Sequence, residues 1–304
     1  MPNRQSAKEN AKATRTIFAQ RSLKPEEALR EWNRTRESLG SADAVERLVL
    51  NACRRLNLPI GPLGGATGCW ELDLTRLEDN RQALNERLRS HDLGGKLRLS
   101  FRPPTRDGSQ QQSSQQQGCQ LLSRSHPLVV ELADFIAERA LSGLEPELAA
   151  RASVIRTKAV SKRTQVLVLR LRHQLHQSRW TGSQYEALPD LLVEECLTAR
   201  VNGDGVEPLD GAAALELLEA PASGNIDPGQ RQQWLQEAVA EIEALQPALA
   251  ALAERRADLA EEDHRRVREA SLRSGESLRM RFRCEPSLPV DVIGLIVLLP
   301  APVL

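Results

Sequence analysis

The chain reads as an α+β protein, and three patterns in its 304 residues point that way. Apolar residues recur at helical spacing around 41–56 and 125–141. They alternate with polar ones in Lys96–Arg102 and Thr164–Leu175, and a nearly continuous apolar run fills Val290–Leu299. The predicted architecture is an N-terminal helical segment with a small β element, then a mostly antiparallel sheet. A long helical hairpin, residues 228–273, is inserted before the last two strands.

Each element has a local reason. Residues 1–20 form a polar, basic tail. Pro25 opens a helix that places Ala28, Leu29, Trp32 and Leu39 roughly on one face and ends at Gly40. Ser41 caps a second helix, with Val45, Leu48, Val49, Ala52 and Leu56 at helical spacing. A Gly-rich loop, Ile60–Gly68, precedes a short strand near Trp70–Leu72, and a helix follows from about Thr75 to Arg89. Leu97, Leu99 and Phe101 then share one face of a half-buried strand.

Residues 105–122 hold the Ser/Gln-rich stretch SQQQSSQQQ, which cannot build a core. It is the natural boundary between a first region, 21–104, and an α+β domain, 123–304. Within that domain Ser125-His126-Pro127 starts a helix, since the missing proline N–H is unused in a first turn. Ala152–Lys158 and Thr164–Leu175 read as strands joined by a turn at Val160–Arg163, with a third strand at Leu191–Val201. A short helix, Ala212–Leu218, leads to the connector PASGNIDPG. From Pro228 the apolar positions Leu235, Ala238, Ile242, Leu245, Leu249 and Leu252 step as the seam of a coiled coil or helical hairpin, interrupted at Pro247. In the last β segment Leu278, Met280, Phe282 and Cys284 face inward and Arg279, Arg281 and Arg283 outward. Val290–Leu299 belongs at the centre of the sheet.

Composition narrows function. Aromatic residues are only 3% of the chain, which disfavours a platform that stacks single-stranded bases. The five cysteines are scattered with no C-x-x-C pair, so reduced thiols are expected rather than a zinc ribbon or disulfide framework. The polar N-terminus lacks a signal-peptide core, and the C-terminal apolar run is shorter than a membrane span. A cytoplasmic protein without membrane contact is the expectation.

No catalytic constellation stands out. GPLGGATG, Gly61–Gly68, lacks the lysine of a phosphate-binding loop and reads as a surface turn. Glu261-Glu262-Asp263-His264 sits in a helical pattern and reads as a solvated face. His173 and His176 are not at the i, i+4 spacing of a helical zinc site, and neither H-E-x-x-H nor G-x-S-x-G occurs. No cofactor is expected in this chain.

Charge is the remaining signal. The 41 basic and 41 acidic residues cancel overall, yet Leu148–Tyr185 holds eight Lys/Arg and no Asp or Glu. Glu186–Asp263 is acidic, and Arg265–Arg283 turns basic again. If Arg156 and Lys158 lay on a strand beside Arg170 and Arg172, four cations would share one sheet surface. Lys162 and Arg163 would extend it, and Arg279, Arg281 and Arg283 would add to it. Such a face is suited to nucleic-acid backbone phosphates through charge neutralisation. The competing reading pairs these side chains with the chain's own acidic segment.

Several strings together resemble one family: TIFAQRSLKPEEALREW (Thr16–Trp32), SHPLVVELADFIAERAL (Ser125–Leu141), ARASVIRTKAVSKRTQVLVLRLRHQL (Ala150–Leu175), HRRVREA (His264–Ala270) and LPVDVIGLIVLLP (Leu288–Pro300). Their order resembles the region after the motor in bacterial Swi/Snf-type superfamily-two helicases of the RapA or HepA kind. The resemblance implies a non-motor accessory region of an ATP-dependent helicase, one that contacts nucleic acid or braces a motor domain or subunit. The chain has no ATP-binding lysine motif, acidic box on a strand or arginine finger, so no ATPase activity is expected of it alone. The alternative is a protein-interaction module that docks through the helical hairpin without binding nucleic acid.

Overall fold

A computed structural model describes residues 41–64, 68–77, 81–102, 118–271 and 279–302, with side chains at 267–271 left out. The helix expected from Pro25 to Gly40 and most of the Ser/Gln-rich stretch lie outside the described residues. The chain is α+β, with two mixed sheets. It divides into two units, Met1–Ala149 and Ala150–Leu304. The division therefore falls later than the Ser/Gln-rich stretch, because the short strand after that stretch pairs with the strand before it.

In the N-terminal unit, α1 (Ala42–Arg55) begins where Ser41 accepts a hydrogen bond from the Ala44 amide. β1 (Ile60–Pro62) and β2 (Cys69–Asp73) form an antiparallel pair, so part of the expected loop is a strand. α2 spans Gln82–Ser90, and residues 78–80 of the helix expected from about Thr75 lie outside the described residues. β3 (Lys96–Ser100) pairs antiparallel with β2 and parallel with β4 (Gln120–Leu121). α3 (Pro127–Ser142) is capped by His126, whose Nδ1 accepts from the Leu128 amide at 3.2 Å. It ends at Gly143 in the left-handed conformation, φ 66°. Val49, Leu84, Leu88, Leu99, Leu128, Leu132 and Phe135 make the core. Each such side chain contributes about 1.5–3 kcal/mol on burial.

One expectation is overturned in this unit. Cys69 and Cys119 form a disulfide, with Cα atoms 6.5 Å apart. Fifty residues separate them in sequence, so nothing local signals the pairing.

The C-terminal unit is a six-stranded sheet: β5 (Ala152–Thr157), β6 (Thr164–Trp180), β7 (Tyr185–Asn202), β8 (Gly205–Pro208), β9 (Met280–Pro286) and β10 (Asp291–Pro300). Its order is β5-β10-β6-β7-β8, with β9 beside the far half of β6. Thus β5 and β6 are not neighbours. β10 lies between them, parallel to β5 and antiparallel to β6, as suits an apolar run that must be covered on both edges.

α4 (Gly211–Leu218) follows β8, and Gly224 then bridges the main chain of Arg156. α5 (Pro228–Ala244) and α6 (Gln246–Ser271) come next. In place of a loop, only Leu245 separates the two helices, and its own backbone is right-handed helical, φ −82° and ψ −7°. Pro247 sits in the first turn of α6, where its missing N–H costs little. The apolar seam meets the sheet: Ala238, Leu249 and Leu252 share a core with Leu167, Leu169, Leu171 and Val297. Those positions are buried inside the unit. No described helix is long and apolar enough to cross a membrane.

Candidate functional site: the charged sheet and its open edge

Alternation along the strands sorts the predicted cations by face. Leu167, Leu169, Leu171 and His173 point toward the helices, so Arg170 and Arg172 point away. β9 follows the same rule: Phe282 and Cys284 pack inward, while Arg281 and Arg283 are exposed on the other side. Arg156 does not join them, because it shares a face with Val154, two residues earlier, on the helix-covered side. The sequence expectation of four cations on two adjacent strands fails for that reason, and because β10 intervenes.

Several of the guanidinium groups have partners inside the unit. Asp291, at the start of β10, takes Arg170 at 2.8 Å and Arg172 at 3.2 Å. Its hydrogen bond and charge raise the pKa of Arg170 above the usual value. Arg163 reaches α5, where it pairs with Glu241 at 3.2 Å and lies over the Trp234 ring. Arg283 pairs with Glu285 at 2.7 Å, and Arg281 lies over Tyr185 with its carbon 3.9 Å from the ring centroid. Lys158, Lys162 and Arg279 are exposed, with no ion pair to another described residue.

The basic strand β6 also runs beside the acidic strand β7. Arg172 stands opposite Glu194 and Arg179 opposite Glu186. His176 pairs with Asp190 at 3.0 Å, and Gln174 donates to the same carboxylate. Charge segregated along the chain is thus brought back together across the ladder.

Beneath the helices lies a cluster that sequence reasoning missed. Glu195 accepts from Arg256 of α6 at 3.0 and 2.5 Å, and fully buried His173 sits 3.4 Å away. Burial alone would raise the Glu195 pKa, but the Arg256 hydrogen bond and charge, with His173 behind them, hold it below the ordinary value. Further along α6, Glu261 accepts from the Cys284 amide at 3.1 Å, and His264 meets the Phe282 ring edge-on. Half of the predicted solvated face, Glu261 and His264, is therefore turned to β9, while Glu262 and Asp263 are exposed. A polar residue facing the sheet from an otherwise apolar stripe was the available signal. Among the described residues no His, Cys, Asp and Glu groups converge as metal ligands.

The outer edge of β7 is open along most of its length among the described residues. β8 pairs with Ala199–Asn202 and the Leu209 amide donates to the Thr198 carbonyl, so from Tyr185 to Leu197 that edge has no strand partner among the described residues. Leu191 and Leu192 on it are 41% and 67% exposed. Every second residue along it directs its main-chain N–H and C=O to that outer edge, where another strand could pair.

No curated protein matches the chain. The family described as "Domain of unknown function (DUF8741)" matches residues 141–303, which takes in almost all of the six-stranded unit, and the chain belongs to that family.

Proposed function

We propose that this chain is a non-enzymatic protein-interaction module whose C-terminal unit receives a strand from a partner along β7. The observation that carries this reading is the edge from Tyr185 to Leu197, unpaired among the described residues, with Leu191 and Leu192 exposed along it. An edge of that length leaves a row of hydrogen-bonding groups that a partner's extended segment can satisfy, while side chains on alternate faces set specificity. The docking surface differs from the helical seam anticipated from sequence, since that seam is buried.

The resemblance to the post-motor region of Swi/Snf-type helicases would make a motor subunit the natural partner, with this module bracing it. Nucleic-acid backbone contact is the second reading, favoured by the exposed Lys158, Lys162 and Arg279.

A photo-crosslinking residue placed at Leu192, with one at exposed Glu254 on α6 as control, tests the reading in the native host. A discrete adduct from position 192 alone is the expected result. Equal adducts from both sites, or none from 192, would remove it.

A further inference from the structure

We infer that the exposed face of α3 is the docking site of this chain's own segment Pro25–Gly40, laid on it as an antiparallel amphipathic helix. α3 turns Leu128, Val129, Leu132 and Phe135 to the core of its unit. On the opposite side Val130, Asp134, Ala137 and Leu141 recur at spacings of four, three and four, and all are exposed, Leu141 to 67%. Leu144, just past the helix end, is 74% exposed. The helix thus carries an apolar stripe, broken by one carboxylate, on the side that its own core does not use.

Chain direction supplies the occupant. Arg102, just past β3, pairs with Asp43 in the first turn of α1 at 2.6 Å, and the nearby Ser100 carbonyl accepts from the Leu122 amide on the way into α3. At the other end Arg55 of α1 donates to the Leu148 carbonyl at 2.9 Å, while Arg139 of α3 pairs with Glu145 at 3.2 Å. The two helices therefore start at the same end of the unit. Residues that lead into α1 at Ser41 arrive beside the start of α3, so a helix ending there lies antiparallel to it. Pro25–Gly40 and α3 each hold 16 residues, about 24 Å of helix.

The sequence pattern fits that direction. Leu29, Trp32, Arg36 and Leu39 are spaced three, four and three. Laid antiparallel, Leu39 falls over Val130, Arg36 over Asp134, Trp32 over Ala137 and Leu29 over Leu141. One register thus sets the cation of one stripe against the carboxylate of the other, and the bulkiest side chain against the smallest. A second copy of α3 fits less well in any register. Its only Lys or Arg is Arg139, which is committed to Glu145, so Asp134 would be covered without a cation.

Hydrogen exchange on the full chain, read by mass spectrometry, tests the docking. In the parent, amides from Ala28 to Leu39 should exchange more slowly than an open chain. Leu141→Asp on α3 and Trp32→Ser on the segment should each speed that exchange by about ten-fold or more, while Leu128–Phe135 keep their protection. Asp134→Arg should do the same, and adding Arg36→Asp to it should restore the slow exchange. Open-chain rates in the parent, protection that survives Leu141→Asp, or a charge exchange that fails to rescue would overturn the inference. So would protection that falls on dilution, which assigns the segment to a second chain.

Discussion

Arg172 on β6 lies directly across the ladder from Glu194 on β7, while its ion pair is made with Asp291 on β10. Basic and acidic residues are separated along the sequence because they occupy two successive strands. The hairpin reunites them. At exposed positions such pairs contribute little to stability, typically below about 1 kcal/mol, but they fix register and leave few cations unmatched.

Asp291 controls the two arginines best placed for phosphate. With Asp291 present, a short DNA duplex should bind the chain weakly at ordinary salt. Asp291→Asn should strengthen binding several-fold, and the gain should shrink as salt rises. Anisotropy at two salt concentrations measures both. Tight binding by the parent that disappears in Arg170→Ala/Arg172→Ala would instead restore the sheet face as a nucleic-acid surface.

Glu195 anchors α6 to the sheet through Arg256 and His173. Glu195→Gln should lower stability at pH 7 by about 1–2 kcal/mol, a value discounted because Arg256 is partly exposed. Because the folded carboxyl titrates below its ordinary value, its contribution is present above the unfolded pKa of about 4.3 and is lost as pH falls through the lower folded value. Urea midpoints of parent and variant should therefore converge toward pH 3. A gap that stays constant from pH 7 to pH 3 would exclude this origin.

The helical seam belongs to the unit's own core. Leu249→Ala should cost roughly 2–5 kcal/mol, since Leu249 is fully buried. Leu259→Ala, at a half-exposed position on the same helix, should stay within about 1 kcal/mol. The thermal midpoint of the parent should not vary with protein concentration. A concentration-dependent midpoint would show the seam shared between chains.

Thiol chemistry separates the five cysteines. Cys196 is exposed and should react quickly with a maleimide in the native chain. Cys53 and Cys284 are buried, and burial pushes their pKa values up to about 12 and about 11, so they should label only on unfolding. Cys69 and Cys119 should label only after reduction. Intact-mass measurement at each stage checks the order, and rapid native labelling of Cys119 would refute the bridge.

Local chemistry determined much of this protein. Ser41 as a cap, Pro127 in a first turn, the alternation through Lys96–Ser100 and the unbroken apolar strand of β10 are legible because each depends on neighbours within a few residues. Long-range pairing decided the rest. No local pattern says that β10 enters between β5 and β6, that Cys69 meets Cys119, or that Asp291 comes to lie under Arg170. Nor could charge counts show that β6's cations would be answered by β7, since neutralisation is a property of register and face. The open edge of β7 exists for the same reason: which strand is left without a neighbour is settled only when the whole sheet has closed.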